Sequence, residues 1–478
     1  MQIREISSYN SPEVLAPLVA NFGADPLPLT DRKTLTWVAV TDDGTYAATA
    51  IVRLDDHDRW HLWFVGVLPW FQRHGAGGKL LSLIENSARE AGAIALRTRT
   101  YSRWTGMRCL LVKQGWAFVN AAVGEHHDGV EEEWLLPLRR EPLRVVLVGA
   151  NSSGRGAELA GAIKELSSLV RLVGVCDINP NVLKTWSDVP TNTSIDALLD
   201  QVDADAAVLA LPHSVYQQVR QSCLERGLGL FHEKPLACSL SELLDLQDAL
   251  TERPTPLVVG VQRRSHPSYV FLKRALQHDL PHTLVVRMSL GRSAEEVSSD
   301  AETVTAWRKD ADTGTAWRKN IQLAGGGALI DIGYHAIDLV HFLLDAPFAT
   351  ISCNLWVGNQ PATGGELETA ATLVGRAGNT WVKVVVDRAG IKSESVVAVG
   401  HATWKADRTQ VSRDGLLQFS CEGSWDMAVR GQLVSFVIAC STTPEPVSLW
   451  DHLAELRVIE QARTIARAQG LGEMDNRK

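Results

Sequence analysis

The residues with the clearest chemical potential lie in two short segments, HEKP at 232 to 235 and GGGALIDIGYHAID from Gly325 to Asp338. Asp331 and His335 are four residues apart, and on a helix this spacing places two side chains on one face, about one turn apart. Lys234 follows the apolar run GLGLF, so a strand ending at the carboxyl edge of a sheet would deliver it to a ligand crevice. These three residues are the candidate catalytic groups.

Such a trio suits hydride transfer at a carbon that bears a hydroxyl group. The reaction needs a base within hydrogen-bond reach to take the hydroxyl proton, and the unperturbed pKa of histidine fits that role. A lysine ammonium nearby would stabilise a developing alkoxide and favour the neutral imidazole. In reverse, the same groups would reduce a ketone or an imine. Taken singly, a Lys-Pro turn is typical of a solvated loop and an Asp/His pair of a polar helix face, so the case depends on their joint occurrence after a nucleotide-binding pattern.

That pattern begins with LRVVLVGANSSGRG, which joins an apolar strand to a glycine turn, and AELAGAIKEL continues as a helix. Gly149 would allow the tight turn, and Gly154 would allow the helix to approach the strand closely. Asn151 takes the place of the usual second glycine, and asparagine tolerates unusual backbone angles. The next strand, VRLVGVCD, ends at Asp177. A carboxylate there would accept hydrogen bonds from both ribose hydroxyls and repel a 2′-phosphate, which favours NAD(H) over NADP(H).

Residues 141 to 470 resemble the Gfo/Idh/MocA family, named after glucose–fructose oxidoreductase and inositol dehydrogenase. The matching segments, in family order, are VGANSSGRG, VCDINP, AVLALPHS, HEKPLA, VGVQRR, AWRKN and GGGALIDIGYHAIDLVHFLL. The resemblance implies that Lys234 hydrogen-bonds the reacting oxygen or nitrogen of the substrate. It further implies that His335 is the general acid/base and that Asp331 orients the substrate or the imidazole.

The same resemblance extends to the cofactor side of the site. Trp317 and Arg318 match a pocket-lining pair, and together with Pro212 and Glu233 they are expected to contact the nicotinamide dinucleotide. The segment ALPHSVY departs from the family's usual T-P-x-x-x-H, because it has leucine at 211 and tyrosine at 216. This departure concerns the details of nicotinamide and substrate contact.

The first 140 residues carry a different pattern. TWVAVTDDGTYAATAIVRL predicts two strands joined by an Asp-Gly turn, and RWHLWFVGV predicts a third. The segment VLPWFQRHGAGGKLLSLIENSAREAG then opens an amphipathic helix with Leu80, Leu81, Leu83 and Ile84 on its inward face. A glycine turn at a helix start offers backbone N–H groups and the positive end of the helix dipole to a pyrophosphate.

The V-x-P-x-x-Q-x-x-G-x-G spacing of this turn resembles the acyl-CoA site of the GNAT acyltransferase family. KQGWAFV at 113 to 119 resembles that family's closing element of helix, glycine and aromatic strand. The resemblance implies acetyl-CoA as cosubstrate, bound by the turn residues Gln72, Arg73, His74, Gly75 and Gly77.

Two positions depart from this family in ways that affect proton transfer. Phe64 stands where many members have a glutamate base, and Leu111 stands where a tyrosine acid is frequent. The candidate substitutes are His61, His74 and Tyr101. Transfer to an amine that arrives neutral needs only modest base help if backbone N–H groups polarise the thioester. Three readings remain open: an active N-acyltransferase, which we rank first, a CoA-binding relic, or a substrate-presenting module.

We therefore predict an α/β multidomain chain: a GNAT-like α/β domain over residues 1–140, a Rossmann domain with a doubly wound parallel sheet over 141–263, and an α+β domain with an open antiparallel sheet over 264–478. TLVVRMSL, TISCNLWV, TWVKVVVD and SVVAVG are the predicted strands of the last domain. The family resemblance implies that its open face pairs with a second copy in a homodimer or homotetramer.

Composition excludes several classes of protein. The net charge of −8 argues against nucleic-acid binding. A polar N-terminus and the absence of an apolar run of about 18 residues argue against a signal peptide or a membrane span. Seven scattered cysteines without C-x-x-C spacing fit a reducing cytoplasm. We expect no metal site, since His126 and His127 lie in an acidic stretch typical of a solvated turn.

Two functions fit these observations. The first is a bifunctional enzyme, an NAD(H)-dependent oxidoreductase acting on the hydroxyl or carbonyl of a sugar, cyclitol or specialised-metabolite intermediate, joined to an acetyl-CoA-dependent N-acyltransferase. The second is an oxidoreductase whose N-terminal domain only binds CoA or substrate. A non-enzymatic nucleotide sensor is disfavoured because Lys234, Asp331 and His335 are all present.

Overall fold

A computed structural model gives the fold of the chain. It describes residues 1–6, 11–22, 34–54, 59–101, 104–123, 130–139, 141–150, 154–291, 316–421, 424–441 and 449–475. Asn151, the pair His126 and His127, and the AWRKD sequence at 306–310 lie outside the described residues. Residue contacts divide the chain into two compact units, Met1–Pro142 and Leu143–Lys478.

The first unit is built on a seven-stranded sheet of order β1-β2-β3-β4-β5-β7-β6. Neighbouring strands are antiparallel except for the parallel pair β4 and β5. The strands are β1 (Gln2–Ile6), β2 (Thr34–Val40), β3 (Tyr46–Leu54), β4 (Arg59–Val67), β5 (Ala95–Tyr101), β6 (Ala117–Val123) and β7 (Val130–Pro137). The helices are α1 (Pro12–Phe22), α2 (Ala76–Glu90) and α3 (Thr105–Lys113).

The predicted local patterns of this unit are confirmed with one difference. β2, β3 and β4 are the three expected strands, and the Asp-Gly turn has Gly44 at a left-handed φ of 88°. α2 buries Leu80, Leu81 and Ile84. Leu83 is only half-buried, because it lies at the side of the apolar stripe rather than at its centre.

The second unit begins with a six-stranded parallel sheet of order β10-β9-β8-β11-β12-β13. The strand order reverses between β8 and β11, so the carboxyl ends of these strands form the crevice in which open α/β sheets bind ligands. The strands are β8 (Leu143–Val148), β9 (Val170–Cys176), β10 (Thr191–Asn192), β11 (Ala206–Leu209), β12 (Gly229–Glu233) and β13 (Leu257–Gly260). The helices between them are α4 (Arg155–Glu165), α5 (Pro180–Leu183), α6 (Ile195–Leu199), α7 (Tyr216–Glu225) and α8 (Leu240–Glu252).

A nine-stranded sheet of order β16-β15-β17-β18-β14-β19-β20-β21-β22 completes this unit. All its pairings are antiparallel except the parallel pairing of β14 with β18. The strands are β14 (Thr283–Ser289), β15 (Phe348–Val357), β16 (Gln360–Pro361), β17 (Ala370–Ala377), β18 (Thr380–Asp387), β19 (Ser393–Val399), β20 (Thr403–Ala406), β21 (Gln410–Arg413) and β22 (Leu416–Ser420). The helices are α9 (Pro267–His278), α10 (Ile321–Ala324), α11 (Tyr334–Leu344), α12 (Ser424–Ala439) and α13 (Trp450–Asp475).

Helices cover one face of the nine-stranded sheet. α11 packs on β14, β15, β17 and β18, and α13 packs on β15. Burial alternates along the central strands, as in β18, where Thr380 is buried and Trp381 is exposed. The residues that precede α11 are thereby held between this sheet and the parallel sheet.

Within the described ranges, Ile321–Leu344 is the one helical stretch that is long and apolar enough to cross a membrane. Its most apolar window is 89% buried inside the protein, as in a core helix.

Candidate active site

The glycine turn after β8 has a strict conformational requirement at its first glycine. Gly149 has a left-handed φ of 87°, and a Cβ atom there would lie 2.2 Å from the carbonyl oxygen of Ala210. Gly154 also has a positive φ, 79°, and it caps the start of α4. Among the described residues, no atom lies within 4 Å of a Cβ built at Gly154. The glycine at 154 is thus needed for its backbone angle.

Asp177 follows β9 and is tied directly to this turn. Its Oδ2 accepts a hydrogen bond from the backbone N–H of Ala150 at 2.9 Å, and its Oδ1 accepts one from Asn179 at 2.9 Å. Burial raises the pKa of Asp177, while the two backbone hydrogen bonds lower it. The glycine at 149, the start of α4 and the carboxylate of Asp177 together fit a nucleotide with a ribose and a pyrophosphate.

Lys234 is held against the segment that carries the other two candidates. It follows β12, and its Nζ donates a hydrogen bond to the backbone carbonyl of Asp331 at 2.6 Å. The same Nζ lies 3.7 Å from Asp331 Oδ1. Burial lowers the pKa of Lys234 to about 8, and the negative charge of Asp331 opposes this shift. The two predicted residues are thus in direct contact although 97 residues separate them in sequence.

The backbone around Asp331 differs from the regular helix that the spacing predicts. Asp331 lies in a π-helical turn, Leu329–Gly333, and His335 lies in α11, which follows it. The Nε of Arg318 is 3.3 Å from Asp331 Oδ2, and the Nε of Arg388 is 3.6 Å from the same oxygen. The carboxylate therefore pairs with cations.

The imidazole of His335 is poised to accept a proton. Its Nδ1 is buried and has no hydrogen-bond partner among the described residues. Burial lowers the pKa of His335 well below its ordinary value, and the positive charges of Arg263 and Lys234 lower it further. The neutral form thus predominates at neutral pH, and one ring nitrogen can take a proton from a bound group.

Glu233 and Pro212, two expected cofactor contacts, lie at the carboxyl edge of the parallel sheet. Glu233 Oε1 is 3.1 Å from the Nε of Arg155 and accepts a hydrogen bond from Gln262 at 2.8 Å. Pro212 precedes a short 3₁₀ turn, His213–Val215. The sequence analysis missed Arg155 as a partner of Glu233, although its position directly after Gly154 in the turn motif was a usable signal.

His213 and Trp317 form a buried wall of the crevice. Their ring centroids are 4.6 Å apart in an edge-to-face arrangement. The Nδ1 of His213 lies 2.7 Å from the carbonyl oxygen of Ala324, at the end of α10. Burial lowers the pKa of His213 to about 3, so it stays neutral and acts as a packing and hydrogen-bonding group. The guanidinium of Arg318 stacks over Trp317 at 4.3 Å, which brings the predicted pocket-lining pair together.

Tyr216, which departs from the family's histidine, has a structural contact of its own. Its hydroxyl accepts a hydrogen bond from the backbone N–H of Leu211 at 3.0 Å, and its ring lies 4.0 Å from that of His232. Burial raises the pKa of Tyr216, so the hydroxyl stays protonated. Tyr216 therefore braces the strand end and does not titrate near neutral pH.

The glycine segment before α11 is fixed by residues from distant parts of the chain. The carboxylate of Glu368 accepts hydrogen bonds from the backbone N–H groups of Gly327 and Leu329 at 3.2 and 3.0 Å. Arg463 in α13 donates a hydrogen bond to the carbonyl of Gly325 at 3.1 Å. A Cβ at Gly326 would lie 1.8 Å from the Arg463 side chain. These contacts position Asp331, and no local sequence pattern revealed them.

In the first unit, the turn before α2 has the geometry of an anion site. Gly75 caps α2 with a left-handed φ of 82°, and Arg73 also has a positive φ, 63°. Gln72 is anchored because its Nε2 donates a hydrogen bond to the carbonyl of Val67 at 3.1 Å. The first N–H groups of α2, including that of Gly77, have no partner within the helix, as is general at helix starts, and could receive an anion.

A cleft opens beside this turn because two parallel strands separate. The pairing of β4 with β5 stops at Leu62 and Thr98, whereas β4 continues to Val67. The β3–β4 register shifts where Phe64 pairs with Ile51, which marks a bulge at this point. The resulting cavity has a volume of about 1220 Å³ and is lined by aromatic and basic side chains, among them Trp63, Phe71, Trp104, Arg53, Arg97 and Arg99.

The structure brings some of the proposed proton carriers to this cleft. His61, Phe64 and Tyr101 line it, whereas His74 does not, because its Nδ1 turns back to the carbonyl of Gln72 at 2.8 Å. Leu111 is fully buried in the core, and the neighbouring Leu110 is the residue that lines the cleft. The side of α3 that faces the cleft thus carries Leu110, whereas Leu111 packs in the core.

Comparison with known proteins agrees with this division of the chain. Residues 143–261 match the NAD-binding Rossmann fold of the Gfo/Idh/MocA oxidoreductase family, and residues 297–406 match the Gfo/Idh/MocA C-terminal domain. Residues 7–103 match the acetyltransferase (GNAT) family.

Among curated proteins, levoglucosan dehydrogenase of Pseudarthrobacter phenanthrenivorans is 23% identical over 249 residues, which cover 49% of this chain and 60% of that protein. The NAD(+)-dependent scyllo-inositol 2-dehydrogenase of Bacillus subtilis is 25% identical over 195 residues, which cover 40% of this chain and 49% of that protein. The chain thus spans about half of the length of these relatives.

Solved structures share the fold of the larger unit. An oxidoreductase from Thermotoga maritima superposes with a TM-score of 0.56 at 16% identity, over 68% of this chain and 97% of that one. A myo-inositol 2-dehydrogenase from Lactobacillus plantarum gives a TM-score of 0.54 at 18% identity, over 69% of this chain and 98% of that one.

A Rossmann sheet, a glycine turn and a second sheet that brings Lys234 to Asp331 form the architecture of a dinucleotide-binding fold. The larger unit carries the Rossmann and C-terminal domains of the Gfo/Idh/MocA oxidoreductase family, and an acetyltransferase (GNAT) domain precedes them.

Proposed function

We propose that the unit Leu143–Lys478 is an NAD(H)-dependent oxidoreductase acting on a hydroxyl or carbonyl group of a sugar, a cyclitol or a specialised-metabolite intermediate. The observation that carries this proposal is the hydrogen bond from the buried Lys234 to Asp331, together with the effect of the Lys234 charge on His335, which stays neutral at pH 7. The named sugar and inositol dehydrogenases among the relatives support the substrate class.

The chain's own groups divide the proton transfer between them. The ammonium of Lys234 donates a hydrogen bond to the reacting oxygen and stabilises its developing charge. The neutral imidazole of His335 accepts the hydroxyl proton during oxidation and returns it during reduction. Asp331 keeps Lys234, Arg318 and Arg388 in place through its ion pairs. A nicotinamide dinucleotide, when bound, supplies the hydride acceptor or donor.

The position of Asp177 supports NAD(H) over NADP(H). Hydrogen bonds from Ala150 and Asn179 hold its carboxylate at the end of β9, beside the glycine turn. A carboxylate at this position accepts hydrogen bonds from ribose hydroxyls and repels the 2′-phosphate of NADP(H).

Three variants test this assignment and serve as controls for one another. Lys234→Ala and His335→Ala should each lower turnover by roughly 100-fold or more, the usual size of an acid/base contribution, with NADH binding nearly intact. Asp177→Ala should instead weaken NADH binding by roughly 10- to 100-fold, since a buried hydrogen-bonding partner is lost. Fluorescence titration with NADH and initial-rate measurements separate the two effects. Equal NADH affinity in Asp177→Ala, or full turnover in Lys234→Ala, would contradict the assignment.

We further propose that the unit Met1–Pro142 binds acetyl-CoA at the Gln72–Gly77 turn and transfers the acetyl group to a primary amine, which makes the chain bifunctional. The left-handed Gly75, the open start of α2 and the separation of β4 from β5 support this proposal. His61 and Tyr101 are the proton carriers that the cleft offers. Phe64 in the position of the usual base favours the alternative, in which this unit only binds CoA or substrate.

Gly75→Val tests the turn, and Gly92→Val is its matched control. Both glycines have a φ near 82°, with no atom within 4 Å of a built Cβ, but Gly92 lies beyond the opposite end of α2. Calorimetry with CoA should show loss of binding in Gly75→Val only, with NADH binding unchanged in both variants. Release of free thiol with candidate amines then reports transfer. CoA binding without transfer would leave the binding-module function, and absence of CoA binding in the wild type would remove both.

We also propose that the open face of the nine-stranded sheet pairs with a second copy of the chain, as a homodimer or within a homotetramer. Large apolar residues are exposed on strands of this sheet, including Ile351, Trp381, Leu416 and Leu417. A cytoplasmic location is part of the same proposal, and the seven free cysteines support it.

A further inference from the structure

Positive charge exceeds negative charge around Asp331. Lys234 lies 3.7 Å from its Oδ1, while Arg318 and Arg388 lie 3.3 and 3.6 Å from its Oδ2. In the part of the chain that the structure describes, Asp331 is the carboxylate within ion-pair distance of all three cations. None of these cations has a second carboxylate at that distance there. At ion-pair distance, one negative charge thus serves three positive charges, while Glu368 acts on Arg388 and Glu233 acts on Lys234 from further away.

Two of these cations are almost completely buried. The side chain of Arg388 is 2% exposed and that of Lys234 is 9% exposed. A buried charge without a counter-charge is costly, because it loses the hydration of bulk water. Burial lowers the pKa of Arg388, yet a guanidinium stays protonated in proteins. Arg388 is therefore charged at neutral pH, and a further anion is needed to balance its charge.

Arg388 also has one N–H donor without an acceptor among the described residues. Its Nη2 donates a hydrogen bond to the backbone carbonyl of Arg318 at 3.3 Å, but its buried Nε has no hydrogen-bond partner among the described residues. Arg263, whose charge acts on His335, has a buried Nη1 in the same condition. Donors of this kind are normally satisfied in the working state of a protein.

The cofactor does not provide the missing charge at this place. A nicotinamide ring is neutral when reduced and positive when oxidised. The pyrophosphate is expected at the glycine turn and the start of α4, where Arg155 is already paired with Glu233. The anion that completes the cluster around Asp331 must then arrive with the substrate.

We infer that the substrate of the oxidoreductase unit carries a carboxylate or phosphate group, which Arg318 and Arg388 bind beside Asp331. The inference rests on the proposed oxidoreductase function and names the class of its substrate. A guanidinium presents parallel N–H donors that fit either anion in a bidentate geometry. Lys234 remains available for the reacting oxygen. A neutral polyol would leave the excess charge uncompensated.

The test titrates the NADH complex of the full chain with D-glucuronate, glucose 6-phosphate and D-glucose by calorimetry. At least one of the anionic sugars should bind more tightly than D-glucose by roughly 10-fold or more, the usual effect of a charge-assisted hydrogen bond. The tighter of the two anions identifies carboxylate or phosphate as the preferred group.

Arg388→Met and Arg318→Met should each remove this preference when it is measured at an NADH concentration that saturates the variant. The partly exposed Arg318 covers the case in which Arg388→Met does not fold. Arg376→Met is the control, because Arg376 is exposed on β17 and stacks on Trp381. No preference for either anion in the wild type, including no binding of any sugar, overturns the inference. A preference retained in both variants overturns it as well. Failure of the oxidoreductase assignment is recognised separately, by loss of NADH binding in the wild type or by full turnover in Lys234→Ala.

Discussion

At Lys234, two opposing effects set the protonation state of a single side chain. Burial lowers its pKa to about 8 from an ordinary value of 10.5, and the carboxylate of Asp331 limits this shift. For His335, burial and the charges of neighbouring arginines and Lys234 lower the pKa well below 6.5. At pH 7 the lysine is thus mostly a donor and the histidine an acceptor, which is the pairing that alcohol oxidation requires.

The pH dependence of kcat/KM follows from these two shifts. The active form needs a protonated Lys234, so kcat/KM should fall as the pH rises through about 8. When the pH is lowered from about 8 to about 6, kcat/KM should stay constant, because His335 remains neutral over this range. In Lys234→Arg the alkaline decline should disappear, since a guanidinium keeps its proton. An unperturbed lysine is still mostly charged at about pH 9.5. A wild-type kcat/KM that stays constant or rises up to this pH would therefore contradict the role given to the ammonium.

Site residues in short motifs could be predicted from the sequence, whereas those that approach the site only through folding could not. Lys234 and Asp331 were predicted from HEKP and from the glycine segment, and the structure places them in contact. Arg388 follows β18 without any motif, so its approach to Asp331 depends on how the nine-stranded sheet meets α11. Arg263 was equally invisible, because its proximity to His335 arises only after folding.

Between elements, a cluster of buried acids joins α11 to α13. Asp338 Oδ1 lies 2.6 Å from the Nη2 of Arg264, and Glu455 Oε1 lies 3.4 Å from the same nitrogen. Burial raises the pKa of both carboxyl groups to about 7. One arginine cannot neutralise two buried carboxylates, so the pair retains a proton in the folded protein at mildly acidic pH.

Glu455→Gln should flatten the pH dependence of stability. A carboxyl group whose folded pKa is raised contributes stability below its unfolded pKa, and that contribution is lost as the pH rises through the folded value of about 7. The wild-type melting temperature should therefore decline from pH 5 to 8, and the variant should lose most of this decline. The decline corresponds to a change in the free energy of unfolding on the order of 1 kcal/mol. Thermal unfolding at a series of pH values measures it.

Asp451→Asn is the matched control, because Asp451 lies in the same helix and pairs with Arg264 at 2.7 Å, yet its pKa is lowered. This variant should keep the wild-type decline over the same interval. An unchanged slope in Glu455→Gln would show that the buried pair does not hold a proton.

Elements with a regular period were predictable, and irregular ones were not. The hairpin of β2 and β3 and the amphipathic α2 follow from alternation and from helical spacing. The π-helical turn around Asp331 does not, because its backbone is fixed by hydrogen bonds to Glu368, which lies outside the segment. A Cβ at Gly327 would lie 2.1 Å from the backbone oxygen of Glu368. Glycine is therefore required at this position for packing, and this requirement is visible only in the folded chain.

On the scale of the whole molecule, the open face of the nine-stranded sheet is the surface most suited to association. Trp381 is 44% exposed and Leu417 is 59% exposed, each on a strand of this sheet. Large exposed apolar residues on a sheet mark candidate interaction sites on folded proteins. The proposed homo-oligomer would cover it.

Trp381→Glu combined with Leu417→Glu should convert the assembly to monomers, because a buried interface cannot accept unpaired carboxylates. Size-exclusion chromatography with light scattering measures the mass. Trp70→Glu is the control, since Trp70 is 66% exposed but lies in the other unit. A monomeric wild type, or an oligomer that survives the double substitution, would refute this surface as the interface.

The bond from Arg463 to Gly325 has a consequence for the order in which the enzyme matures. The ribosome adds Arg463 to the chain 138 residues after Gly325. The parallel sheet, with its glycine turn and Asp177, is complete in the nascent chain long before that. The glycine segment acquires this contact only after α13 has been translated. In the proposed oxidoreductase, the segment that carries Asp331 would therefore be fixed later than the strands that carry the glycine turn and Asp177 are translated.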